Sequence, residues 1–375
     1  MKKTSLTLVF LLTLLGFCLN TNAQEKDSGS NDGFIRRTIQ RLLNPKITYD
    51  TSYISRPWGT WMISADGKTA QHVVVQLKDD KNNYVKNDPS FTTSLNVAYK
   101  GVEVGYSANF GKLSNKRKDQ DLTFNLNDNR YGFTFRMFTI VDLHDSYGLF
   151  DVFNDGQLKG FGAYAYYVFN NKKYSNPAAF SNSQVQKKSA GSFQLSMSYY
   201  NGGLSMGISE DDYYDAIMRI INWPIISELP FLIPRTYKDI PSEWKTQYLS
   251  LGFGYAYNWV PAKHWLLHIS AEPSVLVWQK SIIYLDNITL YKHINSDVEI
   301  ILDREEFKAP YNLFNFGFTG NLSATYSWKR GFVSLLYNAT MVKIDFSHEE
   351  ESIFFSSNNF IYHWWNAKLA VGFRF

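Results

Sequence analysis

Residues 314–328, FNFGFTGNLSATYSW, alternate between two kinds of side chain. Phe314, Phe316, Phe318, Gly320, Leu322, Ala324, Tyr326 and Trp328 fall on one face of an extended chain. Asn315, Gly317, Thr319, Asn321, Ser323, Thr325 and Ser327 fall on the other. The same period of two recurs in FTTSLNVAY (91–99), VEVGYSANF (102–110), SFQLSMSY (192–199) and QYLSLGFGYAYNW (247–259). The polar faces are rich in Ser, Asn, Thr and Gly, which a sandwich core rarely buries and a polar lumen accepts. The pattern predicts an all-β, antiparallel transmembrane β-barrel with its apolar face toward lipid.

Alternation and turn residues place twelve strands near 71–78, 91–99, 102–112, 121–140, 160–170, 190–200, 203–209, 245–259, 264–280, 311–328, 331–346 and 359–375. Short links, KG (100–101), NGG (201–203), PAK (261–263) and KR (329–330), alternate with long polar ones that include 210–244, 281–310 and 347–358. Bacterial outer-membrane barrels combine short periplasmic turns, long external loops and an even strand number. Both termini are therefore expected on the periplasmic side, in the outer membrane of a Gram-negative bacterium.

The first residues support export. Lys2 and Lys3 precede the apolar run LTLVFLLTLLGF, and TNAQ follows with the small residues Thr21 and Ala23 of a cleavage site. Residues 1–23 read as a signal peptide, 24–58 as a linker with an amphipathic segment (34–44) forming a short periplasmic extension, and 59–375 as the barrel. Cys18 is the only cysteine and lies in the leader, so the mature chain has no thiol chemistry. Aromatic residues make up 17% of the chain, which suits the girdles of a barrel. Formal net charge is only +4, two units of it from Lys2 and Lys3, so no nucleic-acid partner is expected. The expected partners are outer-membrane lipid and lipopolysaccharide, the barrel-assembly machinery and an unknown small solute. The last strand, HWWNAKLAVGFRF, resembles the recognition signal that machinery reads, with Phe373 and Phe375 as its terminal aromatics and Ala370 where Gly is usual.

Candidate chemistry lies on the polar faces. Glu103, Arg136, His268 and Glu272 are expected to line the lumen, as a charge ladder that tunes which ions pass. HISAE (268–272) also puts His268, Ser270 and Glu272 on one face, in the order base, nucleophile and orienter of a lipid acyl hydrolase. Neighbours two apart on a strand lie about 6.5–7 Å apart, which makes direct bonding demanding. Asp211, Asp212 and Asp215 lack the glycine and spacing of a calcium loop, and no metal or cofactor is expected. KLSNKRKD (112–119) is a basic run suited to lipopolysaccharide phosphates.

Two stretches, DTSYI (50–54) and YVFNNKKYSNPAAFSNSQVQKKSAGSF (167–193), resemble the family catalogued as domain of unknown function 4421, exported proteins of Bacteroides-type bacteria. The resemblance implies an outer-membrane-type barrel and brings no activity. In the second motif, Tyr174, Ser175, Pro177, Ala178, Ala179 and Phe180 are expected to fold an external loop inward. Gln186, Lys188, Ser189, Gly191 and Ser192 would return it to the wall. The functional expectation is a non-enzymatic pore or solute-binding channel narrowed by that loop. The alternatives are a lipid-modifying hydrolase and an adhesive or structural surface barrel.

Overall fold

The computed structural model describes residues 48–77, 83–109, 119–145, 156–205, 235–292, 298–309, 315–345 and 359–375. The expected signal peptide, the amphipathic segment 34–44, most of the basic run 112–119 and the three aspartates at 211, 212 and 215 lie outside them. In chain order the strands are β1 (Ile54–Ser55), β2 (Trp61–Leu77), β3 (Asn83–Asn87), β4 (Ser90–Tyr99), β5 (Val102–Ala108), β6 (Gln120–Asn127), β7 (Tyr131–Ile140), β8 (Leu143–Asp145) and β9 (Gln157–Val168). A short helix, α1 (Asn176–Phe180), precedes β10 (Val185–Gln186). Then come β11 (Ala190–Ser205), β12 (Arg235–Trp259), β13 (Trp265–Lys292), β14 (Val298–Ala309), β15 (Phe316–Trp328), β16 (Gly331–Asp345) and β17 (Asn359–Arg374).

Twelve of these strands close into an antiparallel barrel in the order β2-β4-β5-β6-β7-β9-β11-β12-β13-β15-β16-β17. The seam joins β17 to β2, from Asn359↔Leu77 to Arg374↔Met62. Closure gives each of the twelve strands a partner on both sides, the condition for crossing lipid. Alternation sets the two faces. Phe91, Leu95, Phe193, Ile269, Leu322, Leu335 and Leu369 stand exposed outside, while Ser94, Asn96, Gln194, Ser196, Ser250 and Thr325 are buried inside.

The expected twelve strands arise differently in two places. Residues 121–140 form two strands, β6 and β7, because Asp128 donates its backbone N–H to the Tyr131 carbonyl (3.0 Å) and turns the chain. Residues 190–205 form one strand where NGG (201–203) predicted a turn. Gly202 is a packing glycine there: a Cβ at that position would collide with the Tyr200 hydroxyl, whose ring lies over it. The two differences cancel in the strand count but reverse the direction of everything between them. As a result the connection 169–189 emerges at the end that carries the short turns 100–101, 128–130, 260–264 and 329–330, not among the long links.

The opposite end extends beyond the wall. β13 pairs with β15 from Trp265 to Val275, then with β14 from Ser281 onward. A bulge in β13 at Val277, opposite Leu249 and Ser250 of β12, accompanies this departure. Much of 281–310, expected as a polar link, is therefore a strand pair. β3 bridges β2 and β8 at the same end.

Candidate functional site

The inward faces enclose a polar chamber of about 460 Å³. One wall is charged. Asp121 on β6 accepts from Lys68 Nζ of β2 (2.7 Å) and from Arg136 of β7 (Nε at 2.9 Å, Nη2 at 2.8 Å). Arg136 also stacks over Phe138 and Trp364, with its guanidinium 5.0 and 5.1 Å from the ring centres. Asp66 on β2 accepts from Ser94 Oγ and Asn96 Nδ2 (2.7 Å each), and Lys368 of β17 stands 3.9 Å away. Glu103 of β5 is buried in the same wall.

Facing this wall, Glu272 of β13 accepts from Ser196 Oγ of β11 (2.7 Å) and Tyr164 Oη of β9 (2.9 Å). Its side chain crosses β12 to get there. The alternating glycines of LGFGYAY allow the crossing, since a Cβ at Gly252 would meet Glu272 Oε1 at 2.9 Å, and one at Gly254 would meet its Cα at 2.8 Å.

An aromatic layer bounds the chamber toward the long-link end. Tyr200 stacks on Tyr248 (5.2 Å), and His72 on Trp364 (5.8 Å), with Phe138 and Tyr362 between them. Tyr362 and His72 Nδ1 lie 2.6 Å apart. Leu276, Val342 and Ile344 pack against Tyr248 at this end, and Leu276 and Val342 also line the chamber.

A plug bounds the chamber at the short-turn end. The motif 169–189 folds into the barrel mouth. Pro177 sits in the first turn of α1, and Ser175 Oγ caps it by accepting from the Ala178 N–H (3.1 Å). Tyr174, Ala178 and Ala179 are fully buried, and Phe180 lies edge-on to His268, 4.8 Å between ring centres. Four strands hold the plug. Asn258 of β12 donates to the Ser175 carbonyl (2.8 Å) and Gln186 Oε1 (3.1 Å), and Gln194 of β11 donates to Tyr174 Oη (3.2 Å). Ser323 of β15 donates to the Ala179 carbonyl (3.2 Å), and Arg374 of β17 to the Asn182 carbonyl (2.9 Å). Ser189 Oγ accepts from the Val260 N–H (2.9 Å), and Ser192 Oγ from the Asn170 N–H (2.8 Å). Gly191 leaves room for the Tyr255 hydroxyl, and Lys188 lies over the Tyr53 ring (5.3 Å).

The other motif, DTSYI, straps the plug from outside. β1 pairs with β10 (Ile54↔Gln186), Lys187 donates its N–H to the Tyr53 carbonyl (2.6 Å), and Asp50 to the Lys172 carbonyl (2.8 Å). The Ser52 N–H holds the Asp50 carboxylate below its ordinary pKa, and burial pushes the Tyr174 hydroxyl up. The two stretches singled out in the sequence are thus one structural unit.

The sequence-derived candidates divide accordingly. Glu103, Arg136 and Glu272 line the chamber. His268 faces inward but lies beneath the plug, bonded through Nδ1 to Asn258 Oδ1 (2.8 Å). Glu103 and Arg136 were expected on neighbouring strands; β6 intervenes and supplies the true partner of Arg136, Asp121. Ser270, His268 and Glu272 share a face without forming a triad. Ser270 Oγ accepts from Asn321 Nδ2 (3.0 Å), His268 bonds to Asn258, and Glu272 bonds to Ser196 and Tyr164. Lys68, Asp66, Asp121, Lys368 and Tyr164 were not anticipated. The signal for Asp121 was present, since Asp121, Thr123 and Asn125 alternate with Leu122, Phe124 and Leu126.

A closed twelve-strand antiparallel β-barrel with an apolar exterior and a polar interior is a transmembrane barrel. The chain belongs to the family described as domain of unknown function DUF4421, whose profile matches residues 48–375. No curated protein sequence matches it. Among solved structures, the chain is similar to the outer membrane protease OmpT from Escherichia coli, with 7% identity, 88% of this chain and 99% of that one covered, and a TM-score of 0.34. It is similar to the Pseudomonas putida toluene transporter TodX, with 8% identity, coverage of 85% and 91%, and a TM-score of 0.27. For Neisserial surface protein A the identity is 7%, the coverage 84% and 97%, and the TM-score 0.21.

Proposed function

We propose that the protein is an outer-membrane barrel that admits a small polar solute to its lumen, with the plug 169–189 as the gate on the periplasmic side. One observation carries the reading: a chamber of about 460 Å³, lined by oriented charges, lies between the plug and the aromatic layer. A wall designed only for stability would fill that space with apolar side chains or close it with mutually satisfied polar ones. The leader at 1–23 and the lipid-facing exterior support location in a Gram-negative outer membrane, with lipopolysaccharide around the long-link end. Phe373 and Phe375 serve the assembly machinery.

Planar-bilayer recording tests the gate. Wild-type protein is expected to open rarely. Asn258→Ala combined with Arg374→Ala removes the anchors on the Ser175 and Asn182 carbonyls and is expected to raise the open fraction at least tenfold. A double variant that folds, loses these anchors and conducts no more than wild type overturns the gate. Ser270→Ala is expected to leave lipid chemistry unchanged; acyl release from phospholipid that depends on Ser270 would make the hydrolase reading the better one.

A further inference from the structure

The two walls of the chamber differ in charge balance. On the wall formed by β2, β5, β6, β7 and β17, Lys68, Arg136 and Lys368 stand with Asp66, Asp121 and Glu103, so cations and carboxylates match in number. Glu272 stands across from them. Among the described residues, no Lys, Arg or His lies within ion-pair distance of it. Its bonded neighbours, Ser196 and Tyr164, are neutral hydroxyls that orient the carboxylate without cancelling its charge. A carboxylate held away from bulk water with no counter-charge is costly.

The fold nevertheless makes room for it, because Gly252 and Gly254 clear its path across β12. A second feature faces the same space. Asn338 Nδ2 donates to Asn321 Oδ1 (2.5 Å), and Asn321 Nδ2 donates onward to Ser270 Oγ (3.0 Å), two residues from Glu272 on the same face of β13. That chain leaves Asn338 Oδ1 buried and without a hydrogen-bond partner. The wall therefore presents one carboxylate without a counter-charge, beside neutral hydroxyl and amide groups that line the same chamber.

We infer that this wall binds a small monovalent cation, with the Glu272 carboxylate supplying the charge and the Ser196 and Tyr164 hydroxyl oxygens that orient it standing beside the site. The inference rests on the lumenal reading above and names the class of solute. An anion would meet acceptors and negative charge here. A tightly held divalent metal calls for more carboxylate or imidazole ligands, and no group of three His, Cys, Asp or Glu side chains converges among the described residues. A primary ammonium, with three donors and one charge, and an alkali ion both suit it.

Thermal unfolding of the full purified barrel in detergent, titrated with ethylammonium chloride or with KCl, separates these sources. Ligand bound only by the folded state raises the midpoint. The wild-type midpoint is expected to rise with ethylammonium if the solute is organic and with KCl if it is an alkali ion. Glu272→Gln is expected to abolish the rise. Gly252→Ala keeps the charge but pushes a methyl group against Ser196 and Glu272, and is expected to weaken it at least tenfold in half-maximal salt concentration. Heat-dependent gel mobility checks that each variant is folded, and Gly252→Ala carries the test alone should Glu272→Gln fail that check. A wild-type midpoint moved by neither salt, or a folded variant that responds like wild type, overturns the site. A cation-dependent shift in a barrel that never conducts would instead leave the site standing and remove the gate.

Discussion

Asp121 organises the charged wall, because it alone accepts from both Lys68 and Arg136. Removing it leaves two cations facing each other in a confined space. Asp121→Ala is therefore expected to destabilise the barrel by about 3 kcal/mol, near the lower end for a broken buried pair because the chamber is polar. Arg136→Ala leaves the Lys68–Asp121 pair intact and is expected to keep the fold while shifting ion selectivity. Urea unfolding in detergent distinguishes the two, and equal losses would show that the network is not centred on Asp121. Arg136 and Glu103 were legible because Phe133, Phe135 and Met137, or Val102 and Val104, set the phase of their strands. Lys68 was not. The outward positions of β2 around it are Ala65, Gly67, Thr69 and Gln71, so no apolar alternation marks which face looks inward.

At the level of elements, strand identity was easier to read than strand direction. A turn as short as Asp128–Arg130 leaves the alternation on either side nearly continuous, and two glycines inside β11 imitate a turn. Each error reverses the direction of every later strand until another cancels it. That is why the inward-folding motif was recognisable from its residues while its end of the barrel was not. Face assignment is independent of direction and tests β15 by itself. Leu322 is half-exposed on the outer face near the middle of the strand, so Leu322→Arg is expected to cost about 2–4 kcal/mol in lipid. Thr319 faces the chamber directly opposite Glu272 in register, so Thr319→Arg gains a carboxylate neighbour and is expected to cost under about 1 kcal/mol. Comparable losses of folded protein for both would mean that the outer face of β15 does not meet lipid.

Across the whole molecule, the chain end is also the closing seam. Phe375 donates its backbone N–H to the Trp61 carbonyl (3.0 Å), and its own carbonyl accepts from Thr60 (3.1 Å) and Trp61 (3.0 Å). Gly59, with φ at +87°, lies so close to Phe375 that a Cβ there would sit 2.8 Å from the Phe375 nitrogen. The last residue thus locks the end of the β17–β2 pairing, just where Arg374 anchors the plug. The terminal aromatic was legible in the sequence; its contact with the first strand was not, because closure brings together residues more than three hundred positions apart. Deleting Phe375 is expected to act twice, by removing the seam bonds and by truncating the terminal aromatic pattern proposed to direct assembly. Phe375→Ala keeps the three backbone bonds and loses only the ring. Membrane fractionation in cells and refolding into detergent in vitro separate these effects. The deletion is expected to fail both, and Phe375→Ala to fail in cells while refolding with a normal heat-dependent gel shift. Full membrane insertion of the deleted chain would show that neither the seam nor the terminal ring directs assembly.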